Sequence, residues 1–142
     1  MNTSDKTIIT IQATVHAPIE NVWALWNTPE HIMQWNSASP DWHTTSAAND
    51  LKVGGKFSYH MAAKDGSMGF DFEGVYDEVI ENEKIAYTLG DGRIVTVNFI
   101  PQGDKTDVVT NFEAETQNPV EMQQFGWQSI LNNFKAYAEA RA

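Results

Sequence analysis

A chain of 142 residues fits one domain able to bury a core of its own. Nineteen acidic against nine basic residues give a formal charge of −10, a field that repels nucleic-acid phosphates and anionic lipid surfaces, so neither nucleic acid nor membrane is an expected partner. With no cysteine there is no disulfide. With no signal-type start at Met1 and no apolar run near the roughly 20 residues of a bilayer span, the expected setting is cytoplasmic.

In chain order, residues 1–6 read as a flexible tail. Residues 7–15 alternate, with Ile9, Ile11, Ala13 and Val15 on one side, the period of a strand. From Pro18 the spacing of Ile19, Val22, Trp23 and Trp26 is helical, with Glu20 in the first turn. Thr28 as a cap and Pro29 at the first position start a second short helix carrying Ile32, Met33 and Trp35. After the loop composition of residues 36–40, residues 42–47 suggest a strand, and residues 48–50 a turn. Phe57, Tyr59 and Met61 alternate with Ser58 and His60, Asp65-Gly66 marks a hairpin, and Phe70, Phe72, Gly74 and Tyr76 claim one face of the next strand. Ile85, Tyr87 and Leu89 lead to a second hairpin signal at Asp91-Gly92, then Val95, Val97 and Phe99, a turn at residues 101–104, and Val108, Thr110 and Phe112. The last stretch is an amphipathic helix. Trp127, Ile130, Leu131, Phe134, Tyr137 and Ala138 share one face, Asn118 is placed to cap it, and Pro119 to open it.

One strand, two short helices, about six further strands and a long helix make an α+β domain: a curved antiparallel sheet whose one face the last helix covers. Eleven per cent of residues are aromatic, five of them Trp, which suggests a large aromatic interior.

Five motifs in order then resemble a known group: Ala17-Pro18-Ile19-Glu20-Asn21-Val22-Trp23, Thr28-Pro29-Glu30 with Trp35, Val53-Gly54-Gly55-Lys56-Phe57, Phe72-Glu73-Gly74 with Asp77-Glu78, and Phe125-Gly126-Trp127 with Leu131. The chain resembles the helix-grip superfamily of START-like and birch-pollen-allergen-like domains. More narrowly, it resembles the domain shared with the C-terminal part of the activators of the heat-shock chaperone ATPase. The resemblance implies six to seven strands wrapped around the C-terminal helix with a cavity between them that often takes a small apolar ligand. It implies no catalytic set, since one scaffold serves binders, transporters, cyclases and co-chaperones. The eukaryotic activators carry an additional N-terminal domain for which this chain has no room, so chaperone activation is not carried over.

Side chains expected around such a cavity are Trp23, Trp26 and Trp35 from the short helices, and Phe57, Tyr59, Met61, Phe72, Tyr76, Tyr87 and Val97 from the strands. The long helix adds Gln123, Gln124, Trp127 and Leu131. The two glutamines fall where its apolar stripe turns polar. Either they face water, or an amide reaches a ligand, in which case Leu at either position weakens binding without unfolding the chain. Gly126 in mid-helix costs about 1 kcal/mol against Ala, which close packing on a strand or room for a ligand would offset.

The four histidines, His16, His31, His43 and His60, show no metal-ligand spacing, and no nucleophile elbow or phosphate loop occurs, so neither metal nor cofactor is expected. Asp71 and Glu73 share a strand side opposite Phe70 and Phe72 and so face water. A bulge after Gly74 leaves open whether Glu78 or His60 turns inward as a polar anchor. The leading expectation is a non-enzymatic binder of a small, neutral or weakly cationic, mostly apolar molecule. An anion would need a local base such as Lys56, Lys64 or Arg93. A protein-interaction module related to chaperone regulation in the stress response is second and a cavity enzyme of cyclase type third, the chain being monomeric or homodimeric.

Overall fold

The computed structural model describes residues 7–141, so the expected tail at residues 1–6 lies outside the described residues. The elements are β1 (Ile8–Val15), α1 (Ile19–Asn27), α2 (Pro29–Trp35), β2 (Trp42–Asn49), β3 (Lys56–Ala63), β4 (Gly69–Ile80), β5 (Lys84–Leu89), β6 (Ile94–Pro101), β7 (Thr106–Glu113) and α3 (Val120–Glu139). Seven antiparallel strands form one curled sheet in the order β1-β7-β6-β5-β4-β3-β2. The first strand therefore pairs with the last, and every other neighbour is a hairpin. At two of the hairpins Asp65 and Asp91 each accept a backbone N–H two residues on, and Gly66 and Gly92 take the positive φ that closes the turn.

Alternation fixes which side chains point inward. Ile9, Ile11 and Val15 of β1, Val108 and Phe112 of β7, and Val95, Val97 and Phe99 of β6 are all buried on the concave face. Leu131, Phe134 and Ala138 of α3 close over them, while Trp127, Ile130 and Tyr137 are half-buried beside the core. Trp26 of α1 and Trp35 of α2 both meet the Phe134 ring edge-on, at 4.8 and 5.0 Å, which seats the two short helices against the long one.

Several local expectations are corrected, and two left open are decided. Pro119, not Asn118, is the N-cap of α3, and the Asn118 amide instead donates to Glu115 at 2.8 Å. Thr28 is the N-cap of α2 and Pro29 its first residue, as expected, but the Thr28 hydroxyl caps nothing in α2 and donates instead to the Ala24 carbonyl of α1 at 2.6 Å. The expected turn at residues 48–50 is mostly strand, because Ala48 and Asn49 still pair with Ser58 and Phe57. Glu78 points outward. The register shifts between Tyr76 and Glu78, so Asp77 is an extra residue and Glu78 lies opposite the outward Ala86, with Val79 brought inward opposite Ile85. Plain alternation would have buried Glu78; the bulge delivers it to Lys84, 3.0 Å away at the surface. Gly126 packs on no strand, because a Cβ there would meet nothing within 4 Å.

Candidate functional site

Between the concave face of the sheet and α3 the side chains leave a hollow of about 340 Å³, at the small end of the roughly 300–1,000 Å³ of small-molecule sites. Its wall on the β3–β5 side is aromatic. The Phe57 ring lies 5.2 Å from those of Tyr59 and Tyr76 and 4.8 Å from that of Tyr87. Gly74 makes this packing possible, since a Cβ there would stand 2.9 Å from the Phe57 ring and 2.6 Å from the Thr88 carbonyl oxygen. Over the other side Trp127 of α3 stacks on Phe112 with centroids 3.9 Å apart and planes 10° from parallel, and meets Phe72 edge-on at 6.0 Å.

Most of the expected residues stand on this wall: Trp26, Trp35, Phe57, Tyr59, Met61, Phe72, Tyr76, Tyr87, Val97, Gln123, Trp127 and Leu131. Two do not. Trp23 is buried edge-on against Phe99 at 5.3 Å, inside the packed core. Gln124 lies on the exposed side of α3, its amide 3.5 Å from the Thr10 carbonyl. Gln123 lines the hollow, but its amide is engaged. It accepts from the Glu115 N–H at 2.9 Å and donates to the Glu115 and Asn118 carbonyls at 3.1 and 2.8 Å, so both of its N–H groups serve the loop before α3.

The wall also contains residues outside the expected set, among them Ile11, Asn27, Asn36, Phe70, Ile85, Arg93, Thr110, Glu115 and Ile130. Thr110 was legible as inward from its place between Val108 and Phe112. Asn27 and Asn36 carried no such signal, because they end α1 and α2, where the angle at which the chain leaves a helix sets direction. Phe70 shares the inward side but is half-exposed near the end of its strand, with Trp42 at 6.0 Å.

Burial dominates the electrostatics. It pushes the Tyr59, Tyr76 and Tyr87 hydroxyls above the ordinary phenol range, so all three stay neutral at pH 7. Tyr59 and Tyr76 hydrogen-bond one another, and the Asn49 amide lies 3.4 Å from the Tyr76 hydroxyl. Thr110, 3% exposed, is the one buried side chain among the described residues whose hydroxyl has no hydrogen-bond partner. Of the three bases considered, Arg93 lines the hollow, whereas Lys56 and Lys64 do not. Its guanidinium donates from Nε to Asp91 at 2.8 Å, and it shares with Glu115 the wall of a second, polar hollow of about 420 Å³.

Asp71 and Glu73 are on the outer face, where Asp71 and His60 pair across strands at 2.8 Å with both side chains substantially exposed, so His60 is no inward anchor. Among the described residues no three His, Cys, Asp or Glu side chains gather as a metal site, and no helix is long and apolar enough to cross a membrane. What the hollow offers is a shaped apolar volume with a few fixed hydroxyls and amides.

The sequence profile of the Activator of Hsp90 ATPase homolog 1-like protein family matches residues 16–139. Among solved structures, an AHSA1-like protein from Aeromonas hydrophila is 48% identical over 95% of this chain and 94% of its own, with a TM-score of 0.89. A protein from Cytophaga hutchinsonii is 57% identical over 94% of this chain and 92% of its own, with a TM-score of 0.81. A Nitrosomonas europaea protein, 17% identical over 95% of this chain and 96% of its own, has the same fold at a TM-score of 0.82. No curated protein matches the chain.

Proposed function

Since the chain belongs to the Activator of Hsp90 ATPase homolog 1-like family, we propose that it acts as a binding domain whose ligand, a small, neutral or weakly cationic, mostly apolar molecule, occupies the hollow under α3. The observation that carries this reading is the hollow itself. Protein interiors pack to crystal density, so a void of about 340 Å³ ringed by Phe57, Tyr87, Phe72 and Trp127 forgoes contacts that the chain's own side chains could have made. An apolar guest restores them. The formal charge of −10 supports a neutral or cationic guest over an anion, and the pairing of Arg93 with Asp91 leaves little positive charge to offset it. The cysteine-free composition supports a cytoplasmic setting.

Trp26, Trp35 and Trp127 stand on the wall, so occupancy should quench or shift tryptophan emission. The test is titration with a neutral apolar probe, alongside native mass spectrometry for a co-purified molecule. Ile130→Phe, which adds bulk inside the hollow, is expected to keep the circular dichroism spectrum and abolish the fluorescence response. An unchanged response in a folded Ile130→Phe chain would sink the proposal.

A second reading has its own observation. Val120, Met122 and Phe125 are exposed on the first turns of α3, Phe125 to 75%, and Met122 and Phe125 share one side of the helix. With the family's link to Hsp90 ATPase activators, this supports docking to a heat-shock chaperone. Salt-sensitive capture of the chaperone, lost in Phe125→Ser and indifferent to apolar probes, would favour this reading over the first.

A further inference from the structure

Thr110 is a polar residue in an apolar row. Across the sheet its row runs Ile85, Val97, Thr110, Ile11, and along β7 its inward neighbours are Val108 and Phe112. None of these side chains has a polar atom to offer. The Thr110 hydroxyl is accordingly without a partner while the residue is 3% exposed and on the wall of the hollow. An unpaired buried hydroxyl is unfavourable, and valine would fill the same space without that cost. Packing alone therefore gives no reason for the hydroxyl.

We infer that the molecule held in this hollow carries a neutral oxygen, a hydroxyl or a carbonyl, that accepts a hydrogen bond from Thr110 while its apolar remainder lies against the aromatic wall. The inference rests on the reading of the hollow as a binding site. A neutral group is required because the residues around Thr110 supply no counter-charge: the neighbouring row positions are aliphatic, and the phenols of Tyr59, Tyr76 and Tyr87 stay protonated at pH 7. The one cation on the wall, Arg93, is paired with Asp91 and has the acidic residue Glu115 beside it in the lining. A carboxylate brought to Thr110 would lose its hydration with nothing to replace it.

The test uses para-cresol and para-xylene, probes of similar shape of which only the first has an oxygen, titrated into the full chain and followed by amide chemical shifts. Thr110→Val is expected to weaken para-cresol binding about three- to tenfold, the worth of one neutral hydrogen bond, and to leave para-xylene unchanged or tighter. Thr110→Ser, which keeps the hydroxyl, should hold para-cresol near the wild-type affinity. Equal effects of Thr110→Val on the two probes, or no effect on either, overturn the inference while leaving the binding site in place. Failure of the wild-type chain to bind either probe removes both. A Thr110→Val chain that does not fold overturns it as well, because the hydroxyl would then serve the protein and not a guest.

Discussion

One amide, that of Gln123, holds the loop between β7 and α3 through three hydrogen bonds to Glu115 and Asn118. Gln123→Leu keeps the bulk but leaves the Glu115 N–H and two carbonyls without that partner. We expect a loss of about 1–3 kcal/mol, seen as a lower urea midpoint at unchanged slope. The three inward phenols give a test at high pH. Their folded-state pKa values are raised by burial above the ordinary value near 10, so the stability they contribute is whole below that value and is lost as the pH climbs through the folded ones. Phenolate absorbance from Tyr59, Tyr76 and Tyr87 should therefore appear together with alkaline loss of the β signal in circular dichroism. Ionisation of all three in a still-folded chain would contradict their placement.

Among the elements, α3 and β4 respond oppositely to the same change. Gly126 faces open space, and a methyl added there removes the flexibility of a mid-helix glycine without a clash. Gly126→Ala should stabilise by about 1 kcal/mol, read as a higher melting temperature. In β4 the Cβ of Gly74→Ala would press on the Thr88 carbonyl at 2.6 Å and on the Phe57 ring. That variant should melt earlier and disturb the aromatic wall, so its tyrosine near-ultraviolet dichroism should weaken. The bulge at Asp77 is a further element-level device: it turns Glu78 to water and Val79 to the core in one step.

Across the whole molecule, carboxylates far apart in sequence carry depressed pKa values. Asp107 is held down by the Thr14 and Gln102 side chains, Glu115 by Asn118, and Glu139 by Lys135 and the His16 N–H. Two of them tie one segment to another, β7 to β1 and α3 to the end of β1, while Glu115 holds its own loop together. Their contribution is whole above the ordinary carboxylate range near pH 4 and disappears as the pH falls through their lower folded values. The urea midpoint should therefore drop between about pH 5 and pH 2, and Asp107→Asn should flatten part of that drop. A slope unchanged by that substitution would show that Asp107 titrates alike in the folded and unfolded chains.

Chain order, strand alternation, the hairpins at Asp65-Gly66 and Asp91-Gly92, and the apolar stripe of α3 were all legible in the sequence. They depend on backbone period and local turn chemistry, which each residue carries with it. That is why the inward phenylalanines and tyrosines of β3 to β5 could be named in advance. Trp23 and Trp26 look alike on the same helical face, as do Gln123 and Gln124 on theirs, yet Trp26 and Gln123 meet the hollow while Trp23 and Gln124 do not. Their fates depend on how far the sheet curls and at what angle each helix docks, quantities set by the sum of all contacts and by no single spacing. The same sum left Thr110 with no protein partner: Val97 reaches it across the local β6–β7 hairpin, but Ile11 comes from β1, which lies far away in the chain and meets β7 only in the folded molecule.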